Sequence, residues 1–204
     1  MVKALIALLI IVGGVTVALL VGGKQEGPPP DPDARDRAFT QAMVPHHESA
    51  IAMAEIAMAR ATVPEIKKLA NDIVSAQARE IAQLKAIHQR RFGTPLQVDV
   101  RAHEVLGLSA SEAGMNHGDE GSLSALREAN PFEGAFIGAM TPHHEGAIRM
   151  ARAVLETTAD EDIKRLANDI IRAQEEETRL MADVQKRYGF PSASPAPAGG
   201  HDLH

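Results

Sequence analysis

The chain has no cysteine and no tryptophan, and only one tyrosine and five phenylalanines among its 204 residues. Without cysteine there is no disulfide, no Cys-ligated zinc, no cysteine-held iron–sulfur cluster and no thiol nucleophile. Aromatic residues make up 3% of the chain. Sandwiches and barrels draw on aromatic and β-branched side chains, so this scarcity argues against an all-β fold. Positive charge is also in short supply, with 21 Lys and Arg against 27 Asp and Glu, a net charge of −6. That balance argues against nonspecific nucleic-acid binding. No phosphate-cradling glycine loop and no Ser/His/Asp arrangement in a supporting motif is present. The length suits one core, with or without an anchor, and not a large multi-domain enzyme.

Charge is missing altogether from residues 4–23, a run of 20 residues between Lys3 and Lys24. About 20 apolar residues suffice for a helix to cross a bilayer. The run exceeds the usual signal-peptide core of about 7–15 residues, and no small-x-small cleavage site follows it. Residues 1–23 therefore read as an uncleaved signal anchor, with cleavage and secretion as the alternative. Residues 24–35 include GPPPDPD at 27–33 and read as a stiff, extended, non-helical spacer.

The remainder is one unit written twice. Residues 39–54 (FTQAMVPHHESAIAMA) and 136–151 (FIGAMTPHHEGAIRMA) share 11 of 16 positions at an offset of 97. IKKLANDI at 66–73 returns as IKRLANDI at 163–170 with the same offset. A duplication of about 60 residues accounts for this. Each copy reads as a helical hairpin. The first helices are expected from Asp36 to Arg60 and from Asn130 to Glu156, with Asp36 and Asn130 as N-caps. Capping boxes are expected at Thr62-x-x-Glu65 and Thr158-x-x-Glu161. Gly93-x-Pro95 and Gly189-x-Pro191 are expected to end the second helices. Ile66, Leu69, Ile73, Ile81, Leu84 and Ile87 recur at helical spacing. Two such hairpins make an all-α, four-helix bundle with approximate two-fold symmetry. It would occupy residues 36–191, with repeats at 36–93 and 130–191 and a linker at 94–129. The tail at 192–204 is expected to be disordered.

Methionine and histidine, eight and nine of them, are the unusual residues. Met43, Pro45, His46 and His47 return as Met140, Pro142, His143 and His144. On a helix, Met43 neighbours both histidines at i+3 and i+4. Adjacent histidines project about 100° apart, so both cannot easily bind one metal from a straight helix. Proline removes an N–H and clashes with the carbonyl four residues back, so a kink or bulge is expected beside each pair. Imidazole suits copper, zinc, iron or nickel, and thioether is soft and favours Cu(I). The set favours Cu(I), with zinc or Cu(II) as alternatives. Met53 and Met150 read as core filler or additional ligands. Gln77, Glu80, Gln174 and Glu177 fall on or beside the buried stripes of the second helices. There they could orient metal-bound imidazoles or join an internal polar network. His103, Met115 and His117 in the linker are further candidate ligands.

The two PHHxxAIxMA units, the LANDI-x-x-AQ segments and PFxxAFIxxM at 131–140 resemble a bacterial family of secreted or membrane-anchored proteins, domain of unknown function 305. The resemblance covers residues 36–189. It implies a ferritin-like helical bundle and, by analogy with some members, an extracytoplasmic copper-binding protein or metallochaperone. Met43, His46, His47, Met140, His143 and His144 would be its ligands. The expected function is copper binding, as a buffer or a chaperone with a copper-acceptor partner. The expected location is a single pass in the bacterial cytoplasmic membrane, with the bundle outside. Alternatives are a structural or interaction bundle without metal, a di-metal oxidase, and a metal-dependent hydrolase. The oxidase is disfavoured because no Glu-x-x-His lies on the predicted helices. The hydrolase would require an open cleft and a carboxylate base.

Overall fold

The computed structural model describes residues 31–190. Its element order is α1 (Pro32–Arg60), α2 (Pro64–Phe92), α3 (Glu120–Glu128), α4 (Phe132–Leu155) and α5 (Glu161–Tyr188), with 3-10 turns at Ala102–Glu104 and Met115–His117. The described residues contain no strand. The expected membrane helix and the expected disordered tail lie outside the described residues. Among those described, no helix is long and apolar enough to cross a membrane.

Helices α1 and α2 form one hairpin, α4 and α5 the other, and α1 packs on α4 along the centre. The expected pair of hairpins is present, with a fifth helix inside the linker. Asp119 caps α3 by accepting from the Ser122 N–H at 2.7 Å, and the helix buries Leu123 and Leu126. Gly93 and Gly189 both adopt φ 68° and end α2 and α5 as expected. Only glycine enters that left-handed region without cost.

Several expected helix starts are displaced. Helix α1 begins at Pro32, not Asp36, because proline is pre-set for the first turn and Asp31 accepts from the Asp33 N–H. The end of the expected spacer is therefore helical. Helix α4 begins at Phe132, and Asn130 does not cap it. Neither capping box forms. The α1–α2 loop is instead held by Glu133 of α4. Its carboxylate accepts from the Thr62 N–H at 2.7 Å, the Thr62 hydroxyl at 2.8 Å and the Val63 N–H at 3.3 Å. Asp160 caps α5 itself, accepting from the Asp162 and Ile163 N–H groups.

The repeat counterpart of Glu133 is Asp36, which is fully buried and paired with Arg91 at 2.6 Å. Thus each hairpin sends an acidic side chain into the other hairpin or its second helix. Burial raises the Asp36 carboxyl above its ordinary range, against the opposing pull of Thr158 and Arg91. Burial also pushes Glu133 up, but its hydrogen bonds to Thr62 and Val63 overcome this and leave it lowered.

The apolar core falls into two clusters. One contains Phe39, Met43, Leu84, Ala147, Met150 and Ile170. The other contains Ala50, Met53, Ile73, Phe136, Met140 and Met181. Five histidines, His46, His47, His88, His143 and His144, and two glutamines, Gln77 and Gln174, belong to neither cluster and are buried in the same helices.

Candidate metal centre

His46, His47, His143 and His144 are all 0% exposed, in the middle of α1 and α4. Helix α1 runs unbroken through Pro45 and helix α4 through Pro142, so neither proline ends its helix. Pro45 deprives the Gln41 carbonyl of its helical partner. The linker supplies a replacement, the Asp99 N–H at 3.4 Å.

Adjacent histidines diverge as helical geometry requires. The ring centroids of His46 and His47 are 6.2 Å apart, and those of His143 and His144 are 6.4 Å apart. His46 turns toward the other copy. Its ring lies 3.7 Å from that of His143, centroid to centroid, with a 35° tilt. His47 and His144 turn the other way, toward their own hairpins. His144 Nε2 is hydrogen-bonded to Glu177 on α5 at 2.7 Å. His47 Nε2 lies 2.8 Å from Glu80 on α2, a close polar contact without hydrogen-bond alignment. The expected carboxylate partners are therefore in place, on the outer histidine of each pair.

Burial holds the His46 imidazolium well below its ordinary value of 6.5, and the fields of His47 and His144 push the same way. The carbonyls of His143 and Ala113 pull it partly back. Neither reaches a His46 nitrogen with hydrogen-bond geometry, and both ring nitrogens are buried without a partner. Each such orphan costs about 1–3 kcal/mol. Both amide atoms of Gln77 and of Gln174 are orphaned in the same way. These glutamines, 2% exposed, orient no imidazole through a hydrogen bond. A neutral, unpartnered imidazole beside a second imidazole is a donor set short of an acceptor, which suits a cation.

The thioethers are distributed by the same symmetry. Met43 and Met150 belong to one apolar cluster, and Met53 and Met140 to the other. All four are essentially unexposed. Glu48 and Glu145 are exposed. Among the described residues, no group of three or more His, Asp or Glu side chains converges as a ready-made metal cage.

The linker candidates stand apart. His103 and Met115 line a surface groove and do not join the His pair. His117 lies on the 3-10 turn Met115–His117, and its side chain is outside the described part.

Sequence reasoning missed Ser49. Its hydroxyl is 3.1 Å from His143 Nε2. Its repeat counterpart is Gly146, one of the five mismatches between the copies. A Cβ at Gly146 would collide with the Ala113 carbonyl and the Gly114 nitrogen. Gly114, at φ 69°, is itself so near α4 that a Cβ would sit 2.9 Å from the His143 carbonyl oxygen. The linker thus crosses one copy of the motif and leaves a hydroxyl in the other. That mismatch was the available signal.

A duplicated all-α bundle that buries paired imidazoles where its repeats meet, with thioethers in its two apolar clusters, is the class of protein defined here. The chain belongs to the family described as domain of unknown function DUF305, whose model matches residues 36–185. It is similar to CopM in its Cu(I)-bound form, 34% identical over 75% of this chain and 96% of that one, with a TM-score of 0.62. CopM in the Cu(II)-bound form is 33% identical over 75% of this chain and 97% of that one, also with a TM-score of 0.62. A DUF305 protein from Streptomyces coelicolor, described as secreted, is 26% identical over 81% of this chain and all of that one, with a TM-score of 0.71. Protein L153 of Acanthamoeba polyphaga mimivirus is 38% identical over 56 residues, 28% of this chain, and the match spans 37% of that protein's length.

Proposed function

We propose that this protein is an extracytoplasmic copper-binding protein that takes Cu(I) as cargo between its two repeats. His46 and His143 would supply imidazole nitrogen, and Met43 and Met140 thioether sulfur. His47 and His144, turned to Glu80 and Glu177, would shape the layer and hold the helices in register. The observation that carries this reading is the fully buried His46, with no hydrogen bond to either ring nitrogen and the His143 ring 3.7 Å away. CopM, a relative solved with Cu(I), Cu(II) and silver, lends support. Copper would act here as a closed-shell ion to be stored or passed to an acceptor protein. The charge-free run at 4–23 supports a membrane tether with the bundle outside, and the Streptomyces relative supports export.

The second reading is a bundle without metal, in which the histidines are polar core groups. The pairing of His144 with Glu177 favours it, since that ring is satisfied within the protein. Titration of the purified chain with Cu(I) against a chromophoric chelator separates the two. Tight uptake lost in the Met43→Leu/Met140→Leu variant supports copper handling. No uptake of Cu(I), Cu(II) or Zn(II) would leave the metal-free bundle.

A further inference from the structure

The two faces of the His pair are unequal. Over the second copy the Ala113–Gly114 backbone is packed onto Gly146 so closely that no side chain fits there. Beside the first copy lies an open groove of about 580 Å³, walled by α1 at Pro45, Glu48 and Ser49 and by the linker at His103, Met115 and Asp119. Ser49 belongs to both places, since it lines the groove and its hydroxyl is 3.1 Å from His143 Nε2. The groove therefore meets the buried imidazoles through one small side chain.

The groove also carries its own donors. His103 is 4% exposed, and its Nδ1 is 2.8 Å from the Leu108 carbonyl. A carbonyl can only accept, so in the neutral ring Nδ1 carries the proton and Nε2 keeps the lone pair. That is the tautomer a metal-ligating histidine is held in by an outer hydrogen bond. Met115 adds a half-buried thioether. Glu48 and Asp119 add negative charge along the wall, which attracts cations. Arg101, the basic residue on this wall, is paired with Glu104 at 3.0 Å.

We infer that this groove is an entry port of the buried centre: a soft cation is captured by His103 Nε2 and the Met115 thioether, then passes by Ser49 to His143 and His46. The inference rests on the copper reading. It assigns the linker ligands a kinetic role distinct from tight binding.

The test is transfer of Cu(I) from a chromophoric chelator to the full chain, followed in time. Met115→Leu, which keeps the bulk of the thioether, and Met115→Leu/His103→Gln should reach the wild-type plateau about tenfold or more slowly. His46→Ala/His143→Ala should lose the plateau. If the double groove variant loses helix content, Met115→Leu alone carries the same expectation. An unchanged rate in Met115→Leu overturns the port. A lowered plateau in Met115→Leu also overturns it, because Met115 would then belong to the tight site. Wild-type protein that draws no copper overturns the metal reading and the port with it.

Discussion

His46 and His143, 97 positions apart in the chain, place their rings 3.7 Å apart at the contact between α1 and α4. Both are fully buried, and His46 has no hydrogen-bond partner at either nitrogen. An imidazole buried without a partner lowers the stability of the fold that holds it.

Replacing that imidazole with an apolar side chain should therefore not weaken the apo protein. His46→Leu is expected to match or exceed wild-type stability, by up to about 1–3 kcal/mol, since an orphaned polar group is removed. Urea unfolding without metal reads this. A loss above about 2 kcal/mol would mean that His46 has an internal partner.

Copper should stabilise wild type and not the variant that lacks both inner imidazoles. An ion at 1,000 times its dissociation constant adds about 4 kcal/mol. Thermal melts with Cu(I) buffered by a chelator should show a clear upward shift for wild type and none for His46→Leu/His143→Leu. Equal shifts in both would place the ion elsewhere.

Gly146→Ala should disturb the centre without touching a ligand. The new Cβ meets backbone at Ala113 and Gly114, which cannot swing away as a side chain would. A cost of about 1–3 kcal/mol is expected. Ser49→Ala, on the open face, should cost less than about 1 kcal/mol and alter the His143 tautomer. Nitrogen shifts of the ring by NMR would register that change. A neutral Gly146→Ala would show that the linker does not rest there.

Acid should release the clasp between α4 and the α1–α2 loop. Glu133 is lowered below its ordinary value of 4.5. A carboxyl with a depressed native pKa contributes stability that is present above its unfolded value and lost as pH falls through its native one. Glu133→Gln should thus be less stable than wild type at pH 7, and the gap should close as pH falls below about 4.5. Asp36 has the opposite sign. Its raised carboxyl penalises the fold when ionised, and this penalty is relieved as pH falls through its native value. A stability gap for Glu133→Gln that does not change with pH would contradict the assignment.

Much of the fold was legible because its causes are local. The spacing of Ile66, Leu69 and Ile73 marks one buried helical face within a single segment, and Gly93 and Gly189 stop their helices by their own backbone freedom. The caps were not legible, because Thr62 is satisfied by Glu133, 71 residues away, and not by Glu65 three residues on. Helix α3 was hidden in a linker without a repeat to compare it with. Met43, His46, Met140 and His143 were legible as a set because the duplication writes them twice. Ser49 was hidden by the same habit, since a mismatch between copies draws no attention.

By itself, the sequence determined the four long helices, their order, their two-fold repetition and the inventory of imidazoles and thioethers. Periodicity, helix stops and residue chemistry depend only on near neighbours in the chain. Tertiary structure alone decided which histidine of each pair faces its copy and which faces a carboxylate. It also decided which imidazole is orphaned and which face stays open. Those outcomes depend on how α1 lies against α4 and on where the linker crosses Gly146, relationships between groups far apart in the chain.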